Sequence, residues 1–408
     1  MVSSLALAPE QIIKELLESA RVREAMRYFE ARAAEITDEQ VRICSIPAPP
    51  FGEAERAAYL CAKFRELGLG EARIDEEGNC VALRRGAALS PLLVVSAHLD
   101  TVFPKGTDFS VRREHNRLLA PGIADDGCGL AALVALLGAL RSCGIETEGS
   151  LLFVGTVGEE GEGNLRGARY LLTRGEWAGR VDGFISFDGP GVERITHAAL
   201  GSHRYRVRLS GQGGHSWGDF GVVNPVHALG RAVARLSAYP APANPRTTFN
   251  VGRIEGGEGV NVIPREATMD VDLRSASAAE LQRLDAFFRR AVREAADDEN
   301  AARRSSGDPP LELELKLIGE RPSGETPTDS TIVRMAEEAT LCFGYRPRLD
   351  RSSTDSNIAI SLGIPAITLG TGGTSGNSHT LNEWFDPRGR ETGLKRALLV
   401  MLGLAGQK

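Results

Sequence analysis

The sequence predicts an α/β fold, with a mainly parallel sheet in one domain and an inserted α+β domain. The chain has 408 residues of ordinary globular composition, more than one compact core accommodates. Short apolar runs separated by helical or loop segments fill much of its first half, and such runs are typical of buried parallel strands. Near residue 200 they give way to strict alternation of polar and apolar residues, which is typical of antiparallel strands with one exposed face.

The first half opens with helix and continues with strands. Apolar and charged residues alternate at helical spacing over residues 12–36, and Thr37 and Asp38 are predicted to cap the next helix. Apolar runs then predict buried strands at residues 81–83, 92–97, 151–157 and 184–187. Between them, residues 130–140 form an apolar helix pattern.

The inserted domain is expected to span residues 201–310. Arginines alternate with apolar residues over 204–209, which predicts a strand whose arginine stripe is a solvated sheet face. Helix patterns at about 224–238 and 277–298 flank strand patterns at 247–254 and 268–273. Residues 301–310 are rich in Arg, Ser, Gly, Asp and Pro and are predicted to form the exit linker. The other domain then comprises residues 1–200 and 311–408.

Charge and cysteine usage exclude several classes of function. A net charge of −6 gives no broad attraction for nucleic acid or an anionic membrane surface. No apolar stretch approaches the ~18 residues of a membrane span, and the first residues lack a signal-peptide pattern, so we expect a cytoplasmic location. The six cysteines form no C-x-x-C pair, which argues against a disulfide framework or a thiolate metal site.

Potential metal ligands follow three of the predicted strands. His98 and Asp100 come after the second strand, Glu159 and Glu160 after the third, and Asp188 after the fourth. Ligands in open α/β sheets bind beyond the carboxyl ends of the strands, so we expect these side chains along one edge.

Two further candidates lie in glycine-rich segments. Asp125 lies in the turn at residues 121–129, and His379 ends the segment 372–379. Together with three of the strand-end residues they offer two imidazoles and three carboxylates, which suit zinc, with manganese or cobalt as alternatives. Asp100, two residues past His98, can accept the other ring N–H of that histidine. Glu159 is then left for proton transfer.

Each cluster alone has an ordinary structural explanation. A histidine after a strand is often a structural hydrogen-bonding residue, paired glutamates can form a solvated loop, and paired aspartates suit a turn or helix cap. Together on one edge they would be costly to desolvate unless a cation neutralised them. The combination therefore favours a metal site.

Six motifs in order resemble a known family, the two-zinc peptidases and deacylases that include peptidase T, carboxypeptidase G, aminoacylase and acetylornithine deacetylase. The matching segments are residues 96–101, 122–127, 158–161, 188–189, 211–216 and 377–380. The likeness covers nearly the whole chain. One departure is Gly127-Cys128, where relatives often carry Lys-Gly. It removes no ligand, but it could place Cys128 near the metals.

The resemblance implies a site that holds two zinc ions. Its ligands would be Asp125 as the bridge, His98 and Asp188 on one ion, and Glu160 and His379 on the other. Glu159 would be the general base, taking a proton from a metal-bridging water as it attacks the scissile carbonyl and returning it to the leaving amine.

The resemblance also implies that the inserted domain is a lid that forms a homodimer. His215 matches a histidine that reaches the partner subunit's active site and stabilises the oxyanion. Asn261 and Arg274 match lid positions that contact the substrate, where a guanidinium can bind a carboxylate. Arg274 could equally form a strand-end salt bridge.

Asp188 guides the choice of reaction within the family. Relatives resembling peptidase T carry Asp there, whereas carboxypeptidase G and many deacylases carry Glu. We therefore predict an aminopeptidase that acts on di- or tripeptides. The alternative is an N-acyl-amino-acid deacylase similar to acetylornithine deacetylase, and a remote alternative is a non-catalytic binding protein. The presence of Glu159 and Asp100 argues against the last.

Overall fold

A computed structural model describes residues 7–304 and 307–408, which divide into two compact units. The first unit comprises the described residues up to Ala199 together with Glu325–Lys408, and the second comprises those of Leu200–Gly324. The helices are α1 Pro9–Glu18, α2 Ala20–Ala31, α3 Ala33–Cys44, α4 Ala54–Glu66, α5 Gly127–Ser142, α6 Arg166–Thr173, α7 Pro225–Ser237, α8 Ala278–Ala301, α9 Thr331–Leu341, α10 Ser356–Ser361 and α11 Arg390–Ala405.

The strands fall into a large sheet, a small sheet and the sheets of the second unit. Their bounds are β1 Arg73–Ile74, β2 Cys80–Arg84, β3 Leu92–His98, β4 Arg112–Glu114, β5 Arg117–Leu119, β6 Ser150–Thr156, β7 Gly183–Phe187, β8 Arg194–Ala199, β9 Gly201–Ser210, β10 Gly214–His215, β11 Thr247–Gly256, β12 Val262–Ile263, β13 Glu266–Ser275, β14 Glu312–Arg321, β15 Gly324–Glu325, β16 Arg348–Ser352, β17 Ala366–Leu369, β18 Thr374–Gly376 and β19 Trp384–Asp386.

The large sheet of the first unit has a parallel centre. Its strands run in the order β1-β2-β6-β3-β7-β17-β8, and β16 pairs with β8. The neighbours β6, β3, β7 and β17 are parallel, whereas β2 pairs with β6 and β17 with β8 in antiparallel fashion. The predicted α/β class with a mainly parallel sheet is therefore confirmed, and each predicted apolar run forms a strand.

Helices cover both faces of this sheet. Leu93 and Val95 of β3 belong to one buried cluster that includes residues of α5, α9 and α11. Leu92 and Val94 belong to another that includes residues of α6 and α10. Alternate side chains of a strand point to opposite faces, so β3 is buried on both. Burying one such side chain stabilises the fold by roughly 1.5–3 kcal/mol.

The N-terminal helical region is divided more finely than its periodicity predicts. Breaks at Ser19 and Arg32 separate α1, α2 and α3. The predicted cap at Thr37 and Asp38 is wrong, because both residues lie inside α3. Thr37 satisfies its hydroxyl by donating to the carbonyl oxygen of Ala33 at 2.9 Å, one turn earlier in the same helix.

The second unit contains an antiparallel sheet in the order β11-β13-β9-β14, with α7 and α8 packed on it. The arginine stripe of β9 forms ion pairs with carboxylates of β13: Arg204 with Asp272, Arg206 with Asp270 and Arg208 with Glu266. The predicted boundary at residue 310 is too early. Strand β14 pairs with β9 along most of its length, so the second unit extends to Gly324.

Within the described ranges, no helix combines the length and the apolar character that crossing a bilayer requires.

Candidate active site

Three neighbouring parallel strands end at the site. His98 is the last residue of β3, the Glu159-Glu160 pair follows β6, and Asp188 follows β7. The register pairs His98 with Thr156 and Ser96 with Ser186, which aligns these strand ends. The parallel order of the strands therefore brings the side chains to one edge of the sheet, as the sequence predicts.

Asp125 lies between two imidazoles. Its Oδ1 is 2.9 Å from His98 Nε2, and its Oδ2 is 3.0 Å from His379 Nε2. Glu160 Oε1 lies 3.0 Å from the same His379 nitrogen. Ligand atoms of His98, Asp125 and Glu160 all lie within 4.8 Å of one another. The Asp125 carboxylate thus presents one oxygen to His98 and the other to His379.

Asp188 completes the predicted set from the side of β7. It lines the same cavity as Asp125, and its backbone N–H donates to the carbonyl oxygen of Leu369 at 3.1 Å. Desolvation raises the pKa of Asp188 to about 6, and the negative charge of Asp125 adds to this rise. Asp188 and Asp125 therefore repel each other in the absence of a positive charge between them.

Electrostatics show that the cluster is short of positive charge. Hydrogen bonds with Asp125 and Glu160 raise the pKa of His379 to about 11. Burial opposes protonation of His98, but its contacts with Asp100 and Asp125 outweigh this and raise its pKa well above the ordinary value. His98, Asp125 and Glu160, with His379 in contact with the two carboxylates, offer nitrogen and oxygen ligands that suit a divalent cation of the zinc type.

Asp100 orients the loop after β6. Its Oδ1 accepts the backbone N–H of Glu159 at 2.9 Å, and its Oδ2 accepts that of Glu160 at 2.8 Å. The expectation that this carboxylate holds the second ring nitrogen of His98 needs correction. His98 Nδ1 is 3.0 Å from the Asp100 backbone oxygen and 3.6 Å from its carboxylate. The carbonyl therefore fixes the imidazole, and the carboxylate fixes the glutamates.

Glu159 has a buried side chain, and its backbone position is set by Asp100. Gly158, directly before it, has a φ of 66°, a left-handed conformation that favours glycine. The two features turn the chain sharply at the end of β6 and present Glu159 and Glu160 in succession.

Glu383 is a site residue that sequence reasoning missed. Its side chain is fully buried, and its Oε1 accepts the backbone N–H groups of Ala124 at 2.8 Å and Asp125 at 3.0 Å. Its Oε2 accepts the N–H of Gly122 at 3.1 Å. Burial raises the pKa of Glu383 to about 7. This carboxylate holds the turn that carries Asp125, and its only sequence signal is its position four residues after His379.

Asp126 joins three segments around the site. Its carboxylate caps α5 by accepting the N–H of Gly129 at 3.0 Å, as the turn-and-cap interpretation of the paired aspartates suggests. It also accepts the N–H groups of His98 at 3.2 Å and Gly189 at 3.3 Å. The side chain is fully buried, and burial raises its pKa well above the ordinary value. Asp126 therefore ties β3, α5 and the segment after β7 together.

The loop that carries His379 has an unusual backbone. Asn377 has a φ of 59° and His379 a φ of 65°, which are uncommon for residues with a Cβ. The loop lies between β18 and β19 of the small sheet, whose pairing sets its ends. Residues in such conformations cluster at functional sites, where surrounding structure holds them in place.

Cys128 does not take part in the ligand cluster. Its thiol donates to the carbonyl oxygen of Ala124 at 2.9 Å, and burial raises its pKa well above the ordinary value. A buried neutral thiol is a poor metal ligand. The turn therefore accommodates Gly127-Cys128 in place of the Lys-Gly that relatives often carry.

The remaining predicted residues belong to the second unit. His215, in β10, pairs with Val262, and its Nδ1 accepts the N–H groups of Trp217 at 3.2 Å and Gly218 at 3.3 Å. This arrangement leaves Nε2 as the donor of the neutral ring. The backbone oxygen of Asn261 accepts the N–H of Ser216 at 3.0 Å.

Arg274 forms the strand-end salt bridge that was considered as an alternative. Its Nε donates to Asp272 Oδ2 at 2.5 Å within β13. The pair is exposed in part, so it contributes little stability by itself.

Comparison with known proteins identifies the family. A model of the peptidase family M20/M25/M40 matches residues 94–405. The uncharacterized protein YqjE of Bacillus subtilis is 27% identical over 369 residues, covering 85% of this chain and 92% of that protein. A succinyl-diaminopimelate desuccinylase of Leptothrix cholodnii is 30% identical over 245 residues, covering 54% of this chain and 62% of that protein.

A solved structure supports the same fold. A tripeptidase of Staphylococcus aureus superposes with a TM-score of 0.76 at 21% identity, covering 91% of this chain and 98% of that one. The family model, which spans three quarters of the chain and all five predicted ligands, confirms the resemblance noted from the motifs. The chain therefore belongs to peptidase family M20/M25/M40 and is a metal-dependent hydrolase.

Proposed function

We propose that this enzyme hydrolyses the amide bond of di- or tripeptides as an aminopeptidase with two zinc ions. The observation that carries the proposal is the position of Asp125, whose two carboxylate oxygens each face a different histidine. A bridging carboxylate flanked in this way is suited to a pair of metal ions. Manganese or cobalt could replace zinc, since affinity alone discriminates poorly among these ions.

We assign the five residues predicted from the sequence as metal ligands. Asp125 would be shared, His98 and Asp188 would complete one ion, and Glu160 and His379 the other. When bound, the ions would acidify a water molecule and polarise the scissile carbonyl. Asp100 supports the arrangement through the two N–H groups that it accepts, since it holds Glu160 in place next to Glu159.

Glu159 would move the proton. Its side chain is buried, and it directly precedes the proposed ligand Glu160 in the chain. Within residues 158–161, Glu159 is the carboxylate to which no ligand role is assigned. It would take a proton from the attacking water and return it to the amine that leaves.

Asp188 supports a peptidase over a deacylase. Peptidase T-like relatives carry Asp at this position, and the tripeptidase structure has the same fold. A specific observation favours the alternative as well, since one similar sequence is a succinyl-diaminopimelate desuccinylase, which acts on an acylated amino acid. Deacylation would use the same water attack and a different group beyond the scissile carbonyl.

Paired substrates test the reaction. Free dipeptides and tripeptides are compared with the corresponding N-acetylated amino acids, using zinc-loaded and manganese-loaded enzyme with a chelated control. Hydrolysis of the free peptides alone supports the aminopeptidase. Preference for the acylated amino acids would assign the enzyme to the deacylases instead, and no hydrolysis in either series would contradict both.

The second unit would form a homodimer. Trp217 and Phe220 are exposed on the segment after His215, and Ile254 and Val260 are exposed on the segment before β12. Strand β11 is also an edge of its sheet. Exposed apolar groups and an open sheet edge are each typical of a protein interface, and a second copy of this chain is the partner we propose.

Complementation tests whether His215 acts in the partner subunit. His215→Ala and Glu159→Gln variants are each expected to be inactive. If His215 serves the partner's site, mixed dimers contain one functional site, and equal mixing should restore about a quarter of the normal activity. Absence of recovery, with exchange of subunits verified by sedimentation of labelled chains, would contradict the proposal.

A further inference from the structure

A cavity of about 580 Å³ in the first unit shares its wall with two of the proposed metal ligands, Asp125 and Asp188. This volume falls within the range of small-molecule sites. Three arginines, Arg194, Arg348 and Arg388, line the same cavity. A substrate held at the ligand cluster would therefore extend toward positive charge.

Two of these arginines stand side by side. Arg194 begins β8, Arg348 begins β16, and the two are direct partners in the parallel register. Side chains of register partners leave the sheet on the same face, from backbones about 4.8 Å apart. Like charges placed in this way destabilise a sheet unless an anion lies close to both.

The three guanidinium groups differ in how far the protein already uses them. Arg388 is neutralised by Asp386, which it contacts through both Nε and Nη2. Arg194 uses Nη2 on the backbone oxygen of Asp188 at 3.0 Å, which leaves most of its five donors for other contacts. Among the described residues, no carboxylate forms an ion pair with Arg348. The exposed Glu193 also lines the cavity, and the other two carboxylates of its lining, Asp125 and Asp188, are the proposed metal ligands.

We propose that Arg348, together with Arg194, binds a carboxylate of the substrate and makes the enzyme selective for substrates that carry one there. This inference rests on the proposed function, because it assumes that the scissile bond lies at the Asp125 cluster. The planar fork of a guanidinium matches a carboxylate, and two adjacent forks can bind both of its oxygens. The carboxylate would be either the terminal one of a peptide or one in an acidic side chain.

Two substrate pairs separate these sources. The first compares a dipeptide that has a free terminal carboxylate with the same dipeptide amide. The second compares peptides that contain Asp or Glu with the isosteric Asn or Gln peptides. For the full-length zinc-loaded enzyme we expect at least a ten-fold preference in kcat/KM for the carboxylate in one pair, mostly through KM.

Arg348→Gln should abolish that preference by raising KM for the carboxylate substrate toward the KM of its neutral counterpart. Arg346→Gln is the matched control, because Arg346 is exposed two residues earlier and does not line the cavity. It should retain the preference. A wild-type enzyme without preference in either pair, or an Arg348→Gln variant that keeps the preference, would overturn the inference.

A binding measurement separates failure of this inference from failure of the proposed function. Succinate and succinamide are titrated calorimetrically into the wild type and both variants. We expect succinate to bind at least ten-fold more weakly to Arg348→Gln than to the wild type and Arg346→Gln. That result without any peptide hydrolysis would refute the aminopeptidase while supporting the carboxylate site. Equal binding by all three proteins would refute the site.

Discussion

Asp100 holds the loop that carries Glu159 through a backbone N–H group. The N–H group belongs to the backbone of Glu159, so replacement of its side chain leaves the loop after β6 in place. We expect Glu159→Gln to retain both metal ions and to lose activity by about 100-fold or more, because general-base assistance is removed. Metal content by plasma emission and kcat with the preferred peptide provide the measurement. Undiminished activity would contradict the assignment of Glu159.

Glu383 acts on Asp125 through the backbone and is a positioning residue. Glu383→Gln would turn an amide nitrogen toward one or more of the N–H groups of Gly122, Ala124 and Asp125, leaving a buried donor without an acceptor. We expect zinc affinity to fall by about 10- to 100-fold, as for other residues that orient ligands. Competition with a chromogenic chelator measures this affinity. The exposed Glu71→Gln is the control, and equal affinity in both variants would contradict the role.

The sequence predicts ligands better than it predicts the residues that hold them. His98, Glu160 and Asp188 stand at strand ends, where their position relative to an apolar run marks them. Glu383 and Asp126 act by accepting N–H groups from distant segments, and no local pattern encodes those partners. The predicted contact of the Asp100 carboxylate is wrong for the same reason. Because Asp100 lies two residues from His98 in sequence, its carboxylate is predicted to accept the ring N–H of that histidine. In the structure, the carboxylate accepts backbone N–H groups from residues 59 and 60 positions away.

At the level of elements, periodicity located the strands and missed some boundaries. Apolar runs determine β3, β6 and β7 because both faces of each are buried. The break at Ser19 occurs at a residue type that is favoured at helix N-caps, whereas the break at Arg32 involves no glycine, proline or favoured capping residue. Strand β14 was assigned to the wrong unit, because a flanking linker-like composition does not reveal that its partner is β9.

A polar cluster joins α8 to β9 in the second unit. Asp285 accepts from His203 at 2.9 Å, from the Tyr205 hydroxyl at 2.5 Å and from Arg289 at 2.7 Å. Although burial opposes its ionisation, these contacts lower the pKa of Asp285. Because the folded-state pKa is the lower one, the stabilisation is present above the ordinary aspartate value of about 4 and is lost as pH falls below it.

Asp285→Asn should therefore lower the free energy of unfolding at neutral pH by about 1–3 kcal/mol. The difference from the wild type should shrink as the pH falls below about 4. Denaturant unfolding across this pH range checks both expectations. The exposed Asp297→Asn is the control. A constant difference at all pH values would show that the charge of Asp285 is not responsible.

For the whole molecule, metal binding and stability should be linked in one unit only. The proposed ligands all lie in the first unit, and each unit has its own buried cluster. Ions that bind the folded state stabilise it by about 2.7 kcal/mol at one hundred times Kd. A chelator should therefore lower the Tm of one unfolding transition and leave the Tm of another unchanged. Calorimetry with and without the chelator checks this expectation. A uniform shift of all the unfolding heat would show that the two units unfold together.

Glu383 and the turn that it holds are separated by about 260 residues of chain. During synthesis, the segment with Asp125 leaves the ribosome long before its buried acceptor exists, and His379 also arrives late. The first unit must therefore remain an incomplete chelator until its last strands and α11 are made. A nascent or truncated chain would therefore bind metal weakly. The ions would be bound late, after the first unit has folded completely.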